Sequence, residues 1–132
     1  PWTRPTAPPK DASPASAAVF DVDGRLGDDE RTIRDTVRSM VRERGLPIIA
    51  DHFEAATFPR DLVAEVAALG MLGMHMTGYG CAGSTAIAYG VACEELEAGD
   101  SAFRSFVSVQ GSLAMFPIHA YGSEEQKQRF LP

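Results

Sequence analysis

From Asp28 onward, apolar residues return at helical spacing along nearly the whole chain, and no run among them must be a central strand. Ile33, Val37, Met40 and Val41 fall at i, i+4, i+7 and i+8, so they share one helix face. Asp28, Asp29 and Glu30 sit where the positive end of that helix dipole lies, and Gly45 followed by Pro47 predicts its end. Ile48, Ile49 and Phe53 predict a short second helix. Thr57-Phe58-Pro59 predicts the start of a third, with Leu62, Val63, Val66 and Leu69 on one face and Gly70 closing it.

After a turn-rich break from Gly70 to Gly83, Ser84 is placed to cap a helix carrying Ile87, Val91 and Leu96, and Asp100 or Ser101 to cap the next. That next segment is ambiguous, because Phe106-Val107-Ser108-Val109 alternates like a strand and Gly111 weakens a helix by roughly 1 kcal/mol. Its length favours a helix, which Pro117 ends or kinks. Ser123 to Gln126 then fits a capping box, in which each side chain satisfies the other's backbone N–H. The expected fold class is all-α, a bundle of about five or six helices.

Composition narrows the functions. With 132 residues and 45% hydrophobic content, the chain holds one domain's worth of core. A net charge of -6 with scattered Lys and Arg argues against a nucleic-acid surface. Cys81 and Cys93 form no CxxC pair, and no apolar run reaches the length of a membrane span, so a soluble protein in the reducing cytoplasm is expected. Pro1 to Ser16 is rich in Pro, Ala, Ser and Thr, and residues 1–27 are expected to form a flexible N-terminal arm ahead of a helical domain over 28–132.

Gly78-Tyr79-Gly80-Cys81-Ala82-Gly83 matches G-x-G-x-x-G and precedes a predicted helix, with Glu97 and Asp100 downstream where an acid would bind a ribose. The spacing permits a nucleotide-binding module. Its context is poor, since the preceding segment contains Gly73 and the chain lacks further βα units. The alternative is a turn whose glycines take positive φ and let helices pack closely.

His52, His75 and His119 are scattered without metal-ligand spacing and read as surface or packing residues. Met71, Met74 and Met76 read as core fillers. The Glu94, Glu95 and Glu97 cluster reads as a solvated helix face, except that Glu97 can approach Arg104 if two helices meet at the Asp100 turn. Arg104 itself is a lone cation among Phe103, Phe106, Val107 and Val109, either reaching to water or placed for an anion.

Several segments occur in a telling order: Phe58-Pro59 before a helix, the glycine turn, Glu94-Glu95-Leu96-Glu97, Phe103-Arg104-Ser105, Ser108-Val109-Gln110 and Tyr121-Gly122-Ser123-Glu124-Glu125-Gln126. From about Asp28 to Pro132 the chain resembles the N-terminal helical domain of flavin-dependent acyl-CoA dehydrogenases, in the glutaryl-CoA dehydrogenase branch. The resemblance implies an enzyme that binds FAD, oxidises acyl-CoA to enoyl-CoA and assembles as a homotetramer, with an electron-transfer flavoprotein or another acceptor. It implies a β domain and a second helical domain, absent from this chain, that carry the catalytic base and most flavin contacts, so this chain alone is expected to be inactive.

Within that branch the resemblance gives Arg104 the distal carboxylate of the substrate and places Glu97, Ser105 and Ser108 at the same acyl end. Arg suits the task because its guanidinium binds a carboxylate through two parallel hydrogen bonds. Phe103 and Gly111 depart from the branch, which often has Tyr and Ser there. A dehydrogenase of plain short or branched acyl-CoA, a nucleotide-binding module and a helical interaction domain stand as alternatives.

Overall fold

The computed structural model describes residues 23–132. Of the arm expected over 1–27, residues 1–22 lie outside the described residues. At its end, Asp23–Arg25 forms one 3-10 turn and Leu26 is buried.

The described residues are mostly helical, as expected for an all-α fold. Helix α1 (Asp28–Met40) runs through a π-helical turn (Val41–Gly45) into α2 (Leu46–Glu54) without leaving helical backbone. Helix α3 (Asp61–Ala68) follows. A two-residue hairpin of β1 (Thr77–Gly78) and β2 (Cys81–Ala82), antiparallel with Thr77 opposite Ala82, leads to α4 (Ala86–Gly99) and α5 (Ser101–Val109). A second π-helical turn (Gln110–Met115) joins α5 to α6 (Phe116–Tyr121), and α7 (Glu124–Phe130) completes the described fold.

Gly45 and Pro47 therefore do not end the first helix. A proline inside an α-helix lacks an N–H and its ring meets the carbonyl four residues back. Both Pro47 and Pro117 stand in the first turn of an α-helix directly after a π turn, whose wider register accommodates them. Gly45 serves packing instead: a Cβ there would stand 3.3 Å from Phe103 Cε2.

Helix α4 lies between α1 and α5. The core joins Val37, Met40 and Val41 to Leu62 and Val66, Met71 and Met74, Ala88, Ala92 and Leu96, and Phe103 and Val107. Each large side chain buried there contributes roughly 1.5–3 kcal/mol. A smaller cluster of Met76, Met115 and Leu131 anchors the C-terminal end, so all three methionines of the 71–76 segment are core fillers, as read from sequence.

Several local expectations shift. Ile87 and Leu69 are exposed, and Ala88 and Ala92 take the buried face of α4. Thr85, not Ser84, caps α4, its Oγ1 accepting from Ala88 N at 3.0 Å. Helix α3 begins at Asp61 rather than at Pro59, because the Phe58 ring turns inward against Phe103 and Phe106 at centroid distances of 6.0 and 5.5 Å. The strand-like alternation of Phe106 to Val109 is overridden, since Phe103 and Val107 bury one helical face. The Ser123–Gln126 capping box is present.

Candidate substrate-side site

Asp100 makes the corner on which the site depends. Its extended backbone (φ -167°, ψ 136°) breaks the path between α4 and α5, and its Oδ1 accepts from Ala102 N at 2.7 Å to cap α5. The chain doubles back, and two residues seven positions apart come into contact. Arg104 Nε donates to Glu97 Oε2 at 2.6 Å, while Ser101 Oγ donates to Glu97 Oε1 at 2.6 Å. The Ser101 bond first and Arg104 second hold the Glu97 carboxyl below the usual carboxylate range; Glu97 in turn raises Arg104.

Glu97, Arg104 and Ser108 are thus brought together. Arg104 Nη1 reaches Ser108 Oγ only at 3.4 Å, and Ser108 Oγ also donates to the Ser105 carbonyl at 3.2 Å. Arg104 Nη2 has no hydrogen-bond partner among the described residues, and the side chain is 38% exposed. A guanidinium held by its Nε, with Nη2 open and Nη1 only weakly engaged, can receive a planar anion. Ser105 is not part of this cluster through its side chain. It lines an apolar groove of about 750 Å³ with Phe58, Val63, Ala102, Phe106 and Val109, and Arg104 is not among the lining residues.

Residues that carry no motif complete the surroundings of Arg104. Tyr89, Cys93 and Glu97 are spaced four apart on α4 and so share a face; that spacing is the only sequence signal for them. Burial pushes the Tyr89 hydroxyl up to about 12, its hydrogen bond with Cys93 adds to the rise, and the positive charge of Arg104 opposes it. Burial likewise raises the Cys93 thiol, against the Tyr89 hydrogen bond and the Arg104 charge. His75 is a packing residue, its ring 5.5 Å from Tyr89 and 6.5 Å from Phe116. Its Nδ1 is buried with no partner among the described residues.

The remaining glutamates divide by role. Glu95 is not a solvated face residue, since it is only 12% exposed and paired with Arg38. Glu94 is exposed. Both cysteines are free thiols. No group of three or more His, Cys, Asp or Glu side chains could hold a metal ion among the described residues.

The glycine motif is a tight hairpin. Tyr79 and Gly80 take φ of 53° and 83° at its tip, and Gly78 and Gly83 are also positive. Gly83 N and Ser84 N, which a phosphate would need, donate to Met76 O and Met74 O at 2.8 Å each. The cavity beside the α4 N-terminus, about 860 Å³, is lined by Asp28, Asp29 and Glu30, and Glu30 accepts from Thr85 Oγ1 at 3.2 Å. Carboxylates there repel a phosphate. The turn does not fit a dinucleotide cradle.

The described fold is mainly helical, and its glycine turn does not form a nucleotide cradle. The family described as acyl-CoA dehydrogenase, N-terminal domain, matches residues 27–132, and the chain belongs to that family. A glutaryl-CoA dehydrogenase from Mycobacterium smegmatis, solved in complex with FADH2, superposes with a TM-score of 0.83 at 60% identity over 86% of this chain and 30% of that one. A second structure of glutaryl-CoA dehydrogenase from that organism gives 0.80 at 59% identity over 84% and 29%. The short-chain-specific acyl-CoA dehydrogenase of Clostridium acetobutylicum is 32% identical over 111 residues, covering 83% of this chain and 29% of the relative. The mitochondrial short-chain enzyme of Homo sapiens is 32% identical over 107 residues, covering 80% and 26%. This chain spans less than a third of the length of these relatives.

Proposed function

We propose that this chain is the N-terminal domain of an FAD-dependent dehydrogenase that acts on glutaryl-CoA, with Arg104 reading the substrate's distal carboxylate. The observation that carries the reading is the arrangement of Arg104: Nε is fixed by Glu97 at 2.6 Å, Nη1 has only a 3.4 Å contact to Ser108, and Nη2 has no hydrogen-bond partner among the described residues. Identity of 60% to a glutaryl-CoA dehydrogenase, against 32% to short-chain enzymes, supports the dicarboxylyl substrate.

FAD supplies the hydride acceptor when bound. The glycine hairpin does not fit a dinucleotide, and the family resemblance assigns the cofactor and the catalytic base to β and C-terminal helical domains of a full-length protein. What this domain does is orient the acyl end: Ser101 and Glu97 fix Arg104, and Arg104 with Ser108 holds the carboxylate, so that the carbons to be oxidised stand at one distance from it. The full-length enzyme is proposed to be a cytoplasmic homotetramer that passes electrons to an electron-transfer flavoprotein or similar acceptor. No helix among the described residues is long and apolar enough to cross a membrane.

Arg104→Gln in the full-length enzyme tests the reading. Turnover of glutaryl-CoA should fall by about two orders of magnitude in kcat/KM, while an uncharged acyl-CoA of similar length changes little or improves. An unchanged ratio of the two kcat/KM values overturns the carboxylate role. It would favour a plain short-chain substrate, the reading supported by the short-chain relatives and by the apolar groove at Ser105 and Phe106.

A further inference from the structure

Resting on that reading, we infer that the first π turn (Val41–Gly45) is a positioning element for recognition of the distal carboxylate, acting through Gly99 and Phe103 on the corner that brings Arg104 to Glu97. The two groups of that ion pair stand on different helices, Glu97 on α4 and Arg104 on α5. Asp100, with φ -167° and ψ 136°, is the single non-helical residue between them. One extended residue makes a joint. The 2.6 Å bond from Arg104 Nε to Glu97 keeps its geometry only while the angle between the two helices is held.

The π turn touches the corner on both sides of that joint. Before it, Gly99 lies against Val41, so closely that a Cβ would collide with Val41 Cγ1. After it, the Phe103 ring lies on Gly45, where a Cβ would stand 3.3 Å from Cε2. Val41 and Gly45 are the first and last residues of the turn and both are buried, whereas Arg42, Glu43 and Arg44 between them are exposed. Phe103 is itself only 3% exposed and is packed from another side by Phe58, edge to face at 6.0 Å. A glycine in each contact removes the Cβ that would force the corner away from the turn. A close-packed interior passes on any displacement made there. Phe103 is followed directly by Arg104, and Glu97 lies in the same last turn of α4 as Gly99, so a shift at either contact is a shift in the Arg104–Glu97 bond. The guanidinium that meets the carboxylate is thus oriented by packing that touches neither group.

The test uses the full-length enzyme with glutaryl-CoA and an uncharged acyl-CoA of similar length. Gly45→Val presses on the Phe103 ring, and Gly99→Ala presses on Val41 from the other side of the joint. Each should raise KM for glutaryl-CoA roughly three- to tenfold and leave KM for the uncharged substrate within about twofold of wild type. Phe103→Leu added to Gly45→Val, and Val41→Ala added to Gly99→Ala, make room again and should bring KM for glutaryl-CoA back toward wild type. Val66→Ala, a core truncation on α3, should lower the melting temperature without changing either KM. Gly99→Ala alone decides the test if Gly45→Val does not fold. Wild-type KM for glutaryl-CoA in the folded glycine variants, equal KM changes for both substrates, or the same selective rise in Val66→Ala overturns the positioning role. If Arg104→Gln alters the substrate ratio while the glycine variants do not, only this inference falls. If Arg104→Gln leaves the ratio unchanged, the carboxylate reading falls and takes this inference with it.

Discussion

Arg38 meets Glu95 through two parallel hydrogen bonds, Nε to Oε2 at 3.0 Å and Nη2 to Oε1 at 2.6 Å, across 57 residues of sequence. The pair ties α1 to α4, the helix that carries Glu97, so the site's geometry depends on an ion pair outside it. Glu95 is only 12% exposed and Arg38 34%, so removing Glu95 takes away the bidentate partner of a part-buried guanidinium and leaves it the longer contact to Asp35 at 3.9 Å. Glu95→Ala should cost about 1.5–3 kcal/mol in urea unfolding, whereas exposed Glu94→Ala should cost little. Equal effects of the two would mean that the glutamates act as one solvated face.

Where α4 ends, it touches the first π turn with no room to spare. A Cβ on Gly99 would collide with Val41 Cγ1. Gly99→Ala should gain helix propensity but lose more through overpacking, for a net loss of roughly 1–3 kcal/mol. Val41→Ala in the same protein should recover part of it. Additive losses in the double mutant, measured by thermal or urea unfolding, would contradict direct contact.

The hairpin yields a prediction about nucleotides. Gly80 holds φ at 83°, which a β-branched residue tolerates poorly. Gly80→Val should destabilise the domain by roughly 1–3 kcal/mol. Calorimetry with NAD or FAD on this domain should show no saturable binding before or after the change. A 1:1 complex abolished by Gly80→Val would restore the dinucleotide reading.

What was legible in the sequence follows from which forces act locally. The helical faces could be read because burial follows the 3.6-residue period, and the Ser123 capping box because it closes within one turn. The continuation of α1 past Gly45 and Pro47 could not, because those residues signal a stop locally and only the Phe103 ring explains the glycine. Thr85 rather than Ser84 is the cap because the helix begins at Ala86, one residue later than the sequence suggested. At the site, the approach of Glu97 to Arg104 was legible through the Asp100 corner, whereas Ser108 was marked only by the family resemblance. Ser105 was grouped with them by the family resemblance, and here it lines the neighbouring apolar groove. Tyr89 and Cys93 had only a four-residue spacing to mark them.

Both thiols should be slow nucleophiles. Burial pushes Cys81 and Cys93 above the ordinary thiol range, so little thiolate exists at neutral pH. Reaction with a disulfide reagent at pH 7 should be much slower in the folded domain than in urea, and should rise with pH. Rapid labelling of both in the folded state would be inconsistent with this burial.

Glu97 should ionise more readily than an ordinary glutamate. The Ser101 hydroxyl first, then Arg104, stabilises its charged form. A carboxyl depressed in the folded state contributes stability above its unfolded value, about 4.3, and loses that contribution as pH falls through the folded value. The Arg104 orientation set by Glu97 should thus be constant across neutral pH and be lost only as pH falls below the ordinary glutamate range. Carbon-13 NMR of the Glu97 carboxyl in the domain should show a midpoint below that of exposed glutamates. Ser101→Ala and Arg104→Gln should each raise it. A wild-type midpoint in both variants would mean that neither partner holds Glu97 in solution, leaving the guanidinium without its anchor.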